Sequence, residues 1–295
     1  MIDIDAGAPA ASFESKWGAA YPELELGLRF VTADQRAAQS AFECLVHELE
    51  HAAFGIRDAE PAALKLQWWL EEFERARHGA ARHPLTQVLA ARVCLDALAV
   101  DAWSAVVAAA FAQRDPQAAG DRAALLEQPA TMYRAIARIE VVLFGHADAD
   151  ADAESLARAR SLAHALRETA ALGDALRDGR MPLPLDLLAR HRLARGDLGE
   201  ASPKLAAALR EWFAGLAGEL ARVRVAAPVP AAAVAADRWR ARRAGRAERP
   251  LERLREDLGR LPVRAAWAAW RAGHDVRRRP GALPQVIDAG RPSPH

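Results

Sequence analysis

Apolar residues along this chain recur at three- and four-residue spacings, and the alternating pattern of a half-buried strand is nearly missing, so the chain reads as all-α. Thr32-Ala-Asp-Gln35 has the form of a capping box and opens a helix through Phe54 and Gly55. Pro61 suits a first helical turn, Gly79 stops that helix, and Pro84 starts a long apolar segment to about Ala112. A loop is expected from Asp115-Pro116 to Gly120, then a helix from Ala123 to Phe144 with a break at Pro129 and a stop at Gly145. Asp148, Asp150 and Asp152 punctuate a turn before a helix from Ser155 to Arg177. Gly179 to Pro184 is a short extended connection, and Leu185 to Arg195 is helical again. Ser202-Pro203 caps a helix to about Val225, and further helices fall near Ala231–Ala247, Pro250–Gly259 and Pro262–Ala272. The expected layout is a loose N-terminus over 1–12, one helical body over 13–274, and a flexible, basic, proline-rich tail over 275–295.

The Pro61–Leu89 stretch carries the strongest local signal. Leu64, Trp68 and Phe73 fall near helical spacing with Trp69 beside them, while Glu71, Glu72, Glu74 and Arg75 mark the wetter side. Both indoles are expected to be largely buried.

Composition narrows the function classes. Forty basic and 39 acidic side chains leave a net charge of +1, which gives no reason to expect nucleic acid. Hydrophobic residues make up 52%, enough for a sizeable core. Cys44 and Cys94 sit in apolar helical contexts and read as reduced core thiols, so a cytoplasmic setting is expected. No run of about 20 apolar residues occurs, and the longest, Val225 to Ala236, is interrupted by Pro228 and Pro230. Arg238, Arg240, Arg242, Arg243 and Arg246 form a basic helix face. It reads as solvated and balanced by acids elsewhere, or as a contact with an anionic lipid head or a protein partner at the membrane periphery.

Trp68-Trp69-x-Glu71-Glu72, a short gap and His83-Pro84-Leu85 resemble the second helix of squalene/phytoene synthases. Ala165 to Asp178 followed by Gly179-Arg180-Met-Pro-Leu-Pro184, and Arg260-Leu-Pro262 through Trp270, resemble later segments of the same family. The similarity spans roughly residues 25 to 272. It implies an isoprenoid-synthase-type helical domain around a central cavity. It also implies head-to-head joining of two prenyl diphosphates, with Mg²⁺ held by two Asp-x-x-x-Asp motifs. Asp174-Ala-Leu-Arg-Asp178 is the candidate for the second motif, with Arg180 following and Trp68 and Trp69 as candidate substrate contacts. Where the first motif belongs, the chain reads His47-Glu48-Leu-Glu50-His51 and holds no aspartate. Glu48 then remains, with Asp174 and Asp178, as a candidate catalytic carboxylate, and the activity is expected to be altered or lost. The family also contains members that serve as assembly factors for respiratory complex I. A non-catalytic protein that binds a prenyl diphosphate, another isoprenoid lipid or a protein partner is therefore the alternative.

His47-Glu48-x-x-His51 has a third reading of its own. Two imidazoles at i and i+4 can hold Zn²⁺ while the intervening glutamate acts as base on a bound water. A zinc peptidase would need a third ligand, for which Glu71 and Glu72 are the near candidates. The metal-binding candidates are thus His47, Glu48, His51, Asp174 and Asp178. His83 is expected to shape a loop, and His164 and His191 to be lone, satisfied or exposed helical histidines.

Overall fold

The structure is a computed structural model that describes residues 7–114, 117–145 and 148–278. Residues 1–6 of the expected loose N-terminus, Asp115 and Pro116 of the expected loop, and 279–295 of the expected tail lie outside the described residues. Within them the chain forms fifteen α-helices and no strand.

The N-terminal third contains α1 (Gly7–Ala20), α2 (Pro22–Leu28), α3 (Ala33–Glu50), α4 (Ala59–Arg77), α5 (Pro84–Arg92) and α6 (Ala102–Ala112). The middle contains α7 (Arg122–Glu127), α8 (Ala130–Phe144), α9 (Ala149–Ala170), α10 (Leu172–Arg177) and α11 (Leu185–His191). The last four are α12 (Pro203–Leu220), α13 (Pro228–Ala244), α14 (Pro250–Leu258) and α15 (Val263–Arg277). No described helix is long and apolar enough to cross a membrane.

Local chemistry accounts for several of these limits. Asp121, Asp148 and Ser202 each accept a backbone N–H at the start of α7, α9 and α12. Gly145 ends α8 at φ +66°, in the left-handed region where a residue with a Cβ is strained. Pro228 and Pro230 fall in the first turn of α13, where a missing N–H leaves no bond unmade, so the apolar run at Val225–Ala236 becomes a helix start.

Several expectations change. Residues 7–12 belong to α1, and the segment after Pro84 breaks into α5, a 3-10 turn at Leu95–Ala97, and α6. Cys94 stands exposed at that break, while Cys44 is buried as expected. In α4 the buried stripe is Ala62, Leu66, Trp69, Phe73 and Ala76, a strict three-four spacing. Leu64 and Trp68 lie off that stripe and are 61% and 40% exposed, so only Trp69 anchors the helix. Glu72, assigned to the wetter side, is fully buried. It accepts the N–H groups of Arg82 and His83, both at 2.7 Å, and the Thr86 hydroxyl, and so fastens the end of α4 to the start of α5. His83 shapes that junction, its Nδ1 accepting from the Leu85 N–H.

The interior divides into two apolar clusters that share α9. Ala153, Leu156 and Ala157 join Phe42, Leu45, Trp69 and Tyr133 in the first. Leu162, Ala165 and Leu166 join Leu187, Trp212, Phe213 and Leu254 in the second. The stretch of α9 between and beside these residues carries charge, and there the molecule opens.

Candidate functional site

A cavity of about 310 Å³ lies between α3, α8, α9 and the start of α13, with Tyr21 and Glu23 at its edge. Two helix faces build it. Glu43, His47 and Glu50 of α3, with His51 directly after it, line one wall at helical spacing; on α9, Arg160, His164, Arg167 and Glu168 line the other. Phe54, Tyr133, Leu156, Val229 and Val234 supply apolar surface. A turn of π-helix at His51–Gly55 ends the α3 wall. Arg114 closes that end from outside, donating to the Ile56 and Arg57 carbonyls. A larger groove of about 940 Å³ between α13, α14 and the start of α15 is lined by Arg242, Arg246 and Arg249 and by Glu252 and Glu256. Its lining is dominated by charged side chains, with Trp239, Pro262 and Val263 as the larger apolar ones.

The cavity is rich in charge, and its charges are paired. Arg160 bonds Glu43 at 3.0 Å and Glu140 at 2.9 Å. Arg167 bonds Asp237 at 3.1 Å and Glu23. Arg180 bonds Asp178 at 3.3 Å and Glu168. Behind them the fully buried Arg240 bonds Glu23 at 2.8 Å and Asp237 at 2.7 Å, a correction to its place on a solvated basic face. His47 meets Glu50 at 2.7 Å and stacks on Tyr21 with ring centroids 3.9 Å apart.

Burial sets the direction of several ionisations. It would raise the Glu50 carboxyl, but His47, with Arg160 and His164, outweighs it and holds the group at about 2. For Glu43 burial prevails over Arg160 and the carboxyl is raised. Burial lowers His164, which favours its neutral form. His51 is lowered by burial and then by Lys65 and Lys16.

The candidates named from the sequence fall in different places. His47 and His51 line the cavity, as does Arg180. Trp68 and Trp69 do not; Trp69 stacks on Phe73 in the core and Trp68 faces outward. Glu48 is buried away from the cavity, with one oxygen 2.7 Å from Lys16 and the other 2.7 Å from Lys65, and the Trp17 indole N–H donates to it as well. Burial would raise Glu48, but the two lysines outweigh it and hold the carboxyl below its ordinary range. Asp174 is 63% exposed and paired with Arg177. Asp178 lies just past the end of α10, between Arg57 and Arg180. A break at Ala171 separates α10 from α9, so the Asp174–Asp178 pair does not continue the α9 wall.

Among the described residues no three His, Cys, Asp or Glu side chains gather as a metal ion would need. Glu71 is exposed and Glu72 is spent on the α4–α5 junction, so neither supplies a third ligand to His47 and His51. The donor set fits neither a Mg²⁺ cluster nor a zinc centre, because each carboxylate involved already has a cationic side chain or backbone N–H groups on its oxygens.

The residues that build the cavity but were missed in the sequence are chiefly Arg160, His164, Arg167 and Glu168. Their spacing of four, three and one was the available signal, a polar stripe inside an alanine-rich helix.

Comparison with solved structures places this architecture. A dehydrosqualene synthase determined in complex with ligand superposes with a TM-score of 0.58 and 15% identity, over 86% of this chain and 96% of that one. Squalene synthase HpnC from Alicyclobacillus acidocaldarius gives 0.54 and 13%, over 94% and 96%. The fold is the squalene synthase fold. No family model matches the sequence, and no curated protein matches it. The squalene synthase fold thus persists here at low sequence identity.

Proposed function

We propose that this protein binds an isoprenoid chain in the cavity between α3 and α9, and that head-to-head condensation of prenyl diphosphates has been lost. The fold and the apolar walls support the ligand class. The loss rests on one observation: Glu48, Asp174 and Asp178 are engaged by Lys16, Lys65, Arg177, Arg57 and Arg180. Ionising an allylic diphosphate requires compensating about two to three negative charges, and each missing electrostatic contact in such a site costs roughly 10²–10³ in rate. A cavity of about 310 Å³ is also at the lower end for a small-molecule site, which suits one chain better than two. The test is incubation of the purified chain with farnesyl or geranylgeranyl diphosphate and Mg²⁺. No squalene, phytoene or cyclopropyl intermediate is expected, and robust turnover to any of them overturns the reading.

A peripheral-membrane setting is a compatible second reading. Val263, Trp267 and Trp270 form an outward stripe on α15, 87%, 59% and 42% exposed, with Arg264 and Arg271 on the same helix. Indoles beside arginines suit the interface of an anionic bilayer. Co-sedimentation with anionic vesicles should fall in a Trp267→Ala/Trp270→Ala variant; equal sedimentation of both proteins removes this reading.

A further inference from the structure

We infer that the isoprenoid taken by the cavity carries an uncharged polar end, as a prenyl alcohol does, rather than a diphosphate. The inference rests on the proposed isoprenoid reading and concerns only the head group.

Three guanidinium groups reach the cavity, and each is held between two carboxylates: Arg160 between Glu43 and Glu140, Arg167 between Glu23 and Asp237, and Arg180 between Glu168 and Asp178. An incoming diphosphate would have to displace carboxylates already seated on those donors. The displaced carboxylates would then stand beside the new anion in a partly buried space, where like charges repel strongly. Glu50 adds a further carboxylate on the opposite wall, already committed to His47. The lining thus carries carboxylates in excess over arginines and, among the described residues, offers a phosphate no arginine without a carboxylate partner.

An uncharged hydroxyl meets different partners. The His164 ring sits between Phe54 and Tyr133, with centroids 4.2 Å and 6.1 Å away, and makes no hydrogen bond among the described residues. A neutral imidazole has one N–H to donate and one nitrogen to accept, which matches the donor and acceptor of an alcohol. Next to it, Phe54, Leu156, Val229 and Val234 form the apolar surface for the chain. Binding an alcohol leaves the ion pairs undisturbed.

The experiment compares equilibrium binding of farnesol and farnesyl diphosphate to the full-length chain, with and without Mg²⁺. Farnesol is expected to bind at least tenfold more tightly, with no effect of Mg²⁺ on the ratio. Diphosphate binding as tight as farnesol or tighter, in either condition, overturns the inference and leaves the isoprenoid reading standing. Binding of neither lipid overturns both. A Glu168→Gln/Asp178→Asn variant releases Arg180 and should move the ratio of the two affinities toward the diphosphate by about tenfold, the worth of one charge-assisted hydrogen bond. An unchanged ratio in a folded variant would refute the ion-pair explanation. His164→Phe should weaken farnesol and leave the diphosphate unaffected; equal loss of both counts against the assigned contact.

Discussion

Replacing Arg240 by methionine is expected to be among the most destabilising single changes in this protein. The side chain is completely buried and ties three parts of the fold. Its Nη1 donates to Asp237 at 2.7 Å on its own helix, and its Nη2 donates to Glu23 of α2 at 2.8 Å. Nε and Nη2 also donate to the Asp257, Leu258 and Arg260 carbonyls at 3.1, 2.6 and 3.3 Å, where α14 turns into α15. Methionine fills much of the space but leaves Glu23 and Asp237 sharing Arg167 alone. Breaking a buried pair by removing one partner costs about 3–5 kcal/mol. For 295 residues at about 2.1 cal/mol/K each, the unfolding entropy is about 0.6 kcal/mol/K, so the midpoint should fall by roughly 5–8 °C. The deficit should also depend on pH. Burial would raise Asp237, but Arg167 and Arg240 outweigh it and hold the carboxyl below its ordinary value. That contribution to stability is present above the unfolded value of about 3.9 and is lost as pH falls through the lower folded value. In the variant Asp237 loses one of the two arginines that hold it ionised and is relieved by protonation instead, so the two proteins should converge as pH drops from 7 toward 4. Urea titrations at several pH values provide the assay. A loss below about 1 kcal/mol at pH 7, or a pH-independent gap, would refute the reasoning.

Three further outcomes are expected. Burial pushes the Cys44 thiol up to about 12 while Cys94 lies exposed, so an aromatic disulfide reagent at pH 8 should titrate one thiol in the folded protein and two in denaturant. Gly27→Ala should destabilise by about 1–3 kcal/mol in thermal melts, since a Cβ there would lie 2.6 Å from the Val229 backbone where α2 crosses α13. Glu72→Ala leaves the Arg82 and His83 N–H groups and the Thr86 hydroxyl without their acceptor and should cost about 2–4 kcal/mol in urea unfolding. Burial would raise Glu72, but those donors and Arg75 hold its carboxyl below its ordinary range, so this loss should shrink as pH falls below about 4.

Helix limits were legible in the sequence because each is set within a few residues. Ser202 before Pro203, Gly79 and Gly145 are local stop and start chemistry, and the structure uses all of them. The fold was legible through the Trp-Trp and Leu-Pro resemblance. Which indole faces inward was not, because Trp68 and Trp69 differ by about 100° of helix rotation and only the packed stripe from Ala62 to Ala76 decides between them. The site was less legible still. Arg160 meets Glu43 from 117 positions away and Arg240 meets Glu23 from 217, so a buried ion pair looks in each local window like a solvated charge. His47-Glu48-x-x-His51 read as one unit, yet the structure turns the histidines into the cavity and Glu48 toward Lys16 and Lys65.

The two lysines on Glu48 constrain any attempt to build a metal-binding wall at this end of α3 one step at a time. Placing aspartates at positions 48 and 51 would leave their carboxylates beside Lys16 and Lys65, whose ammonium groups would neutralise them and repel an arriving cation. Removing the lysines first would leave Glu48, 5% exposed, as a buried carboxylate with the Trp17 indole as its remaining donor. Either single change is disfavoured where the combination is not. A designed metal-binding wall should therefore succeed only when both sets of substitutions are introduced together.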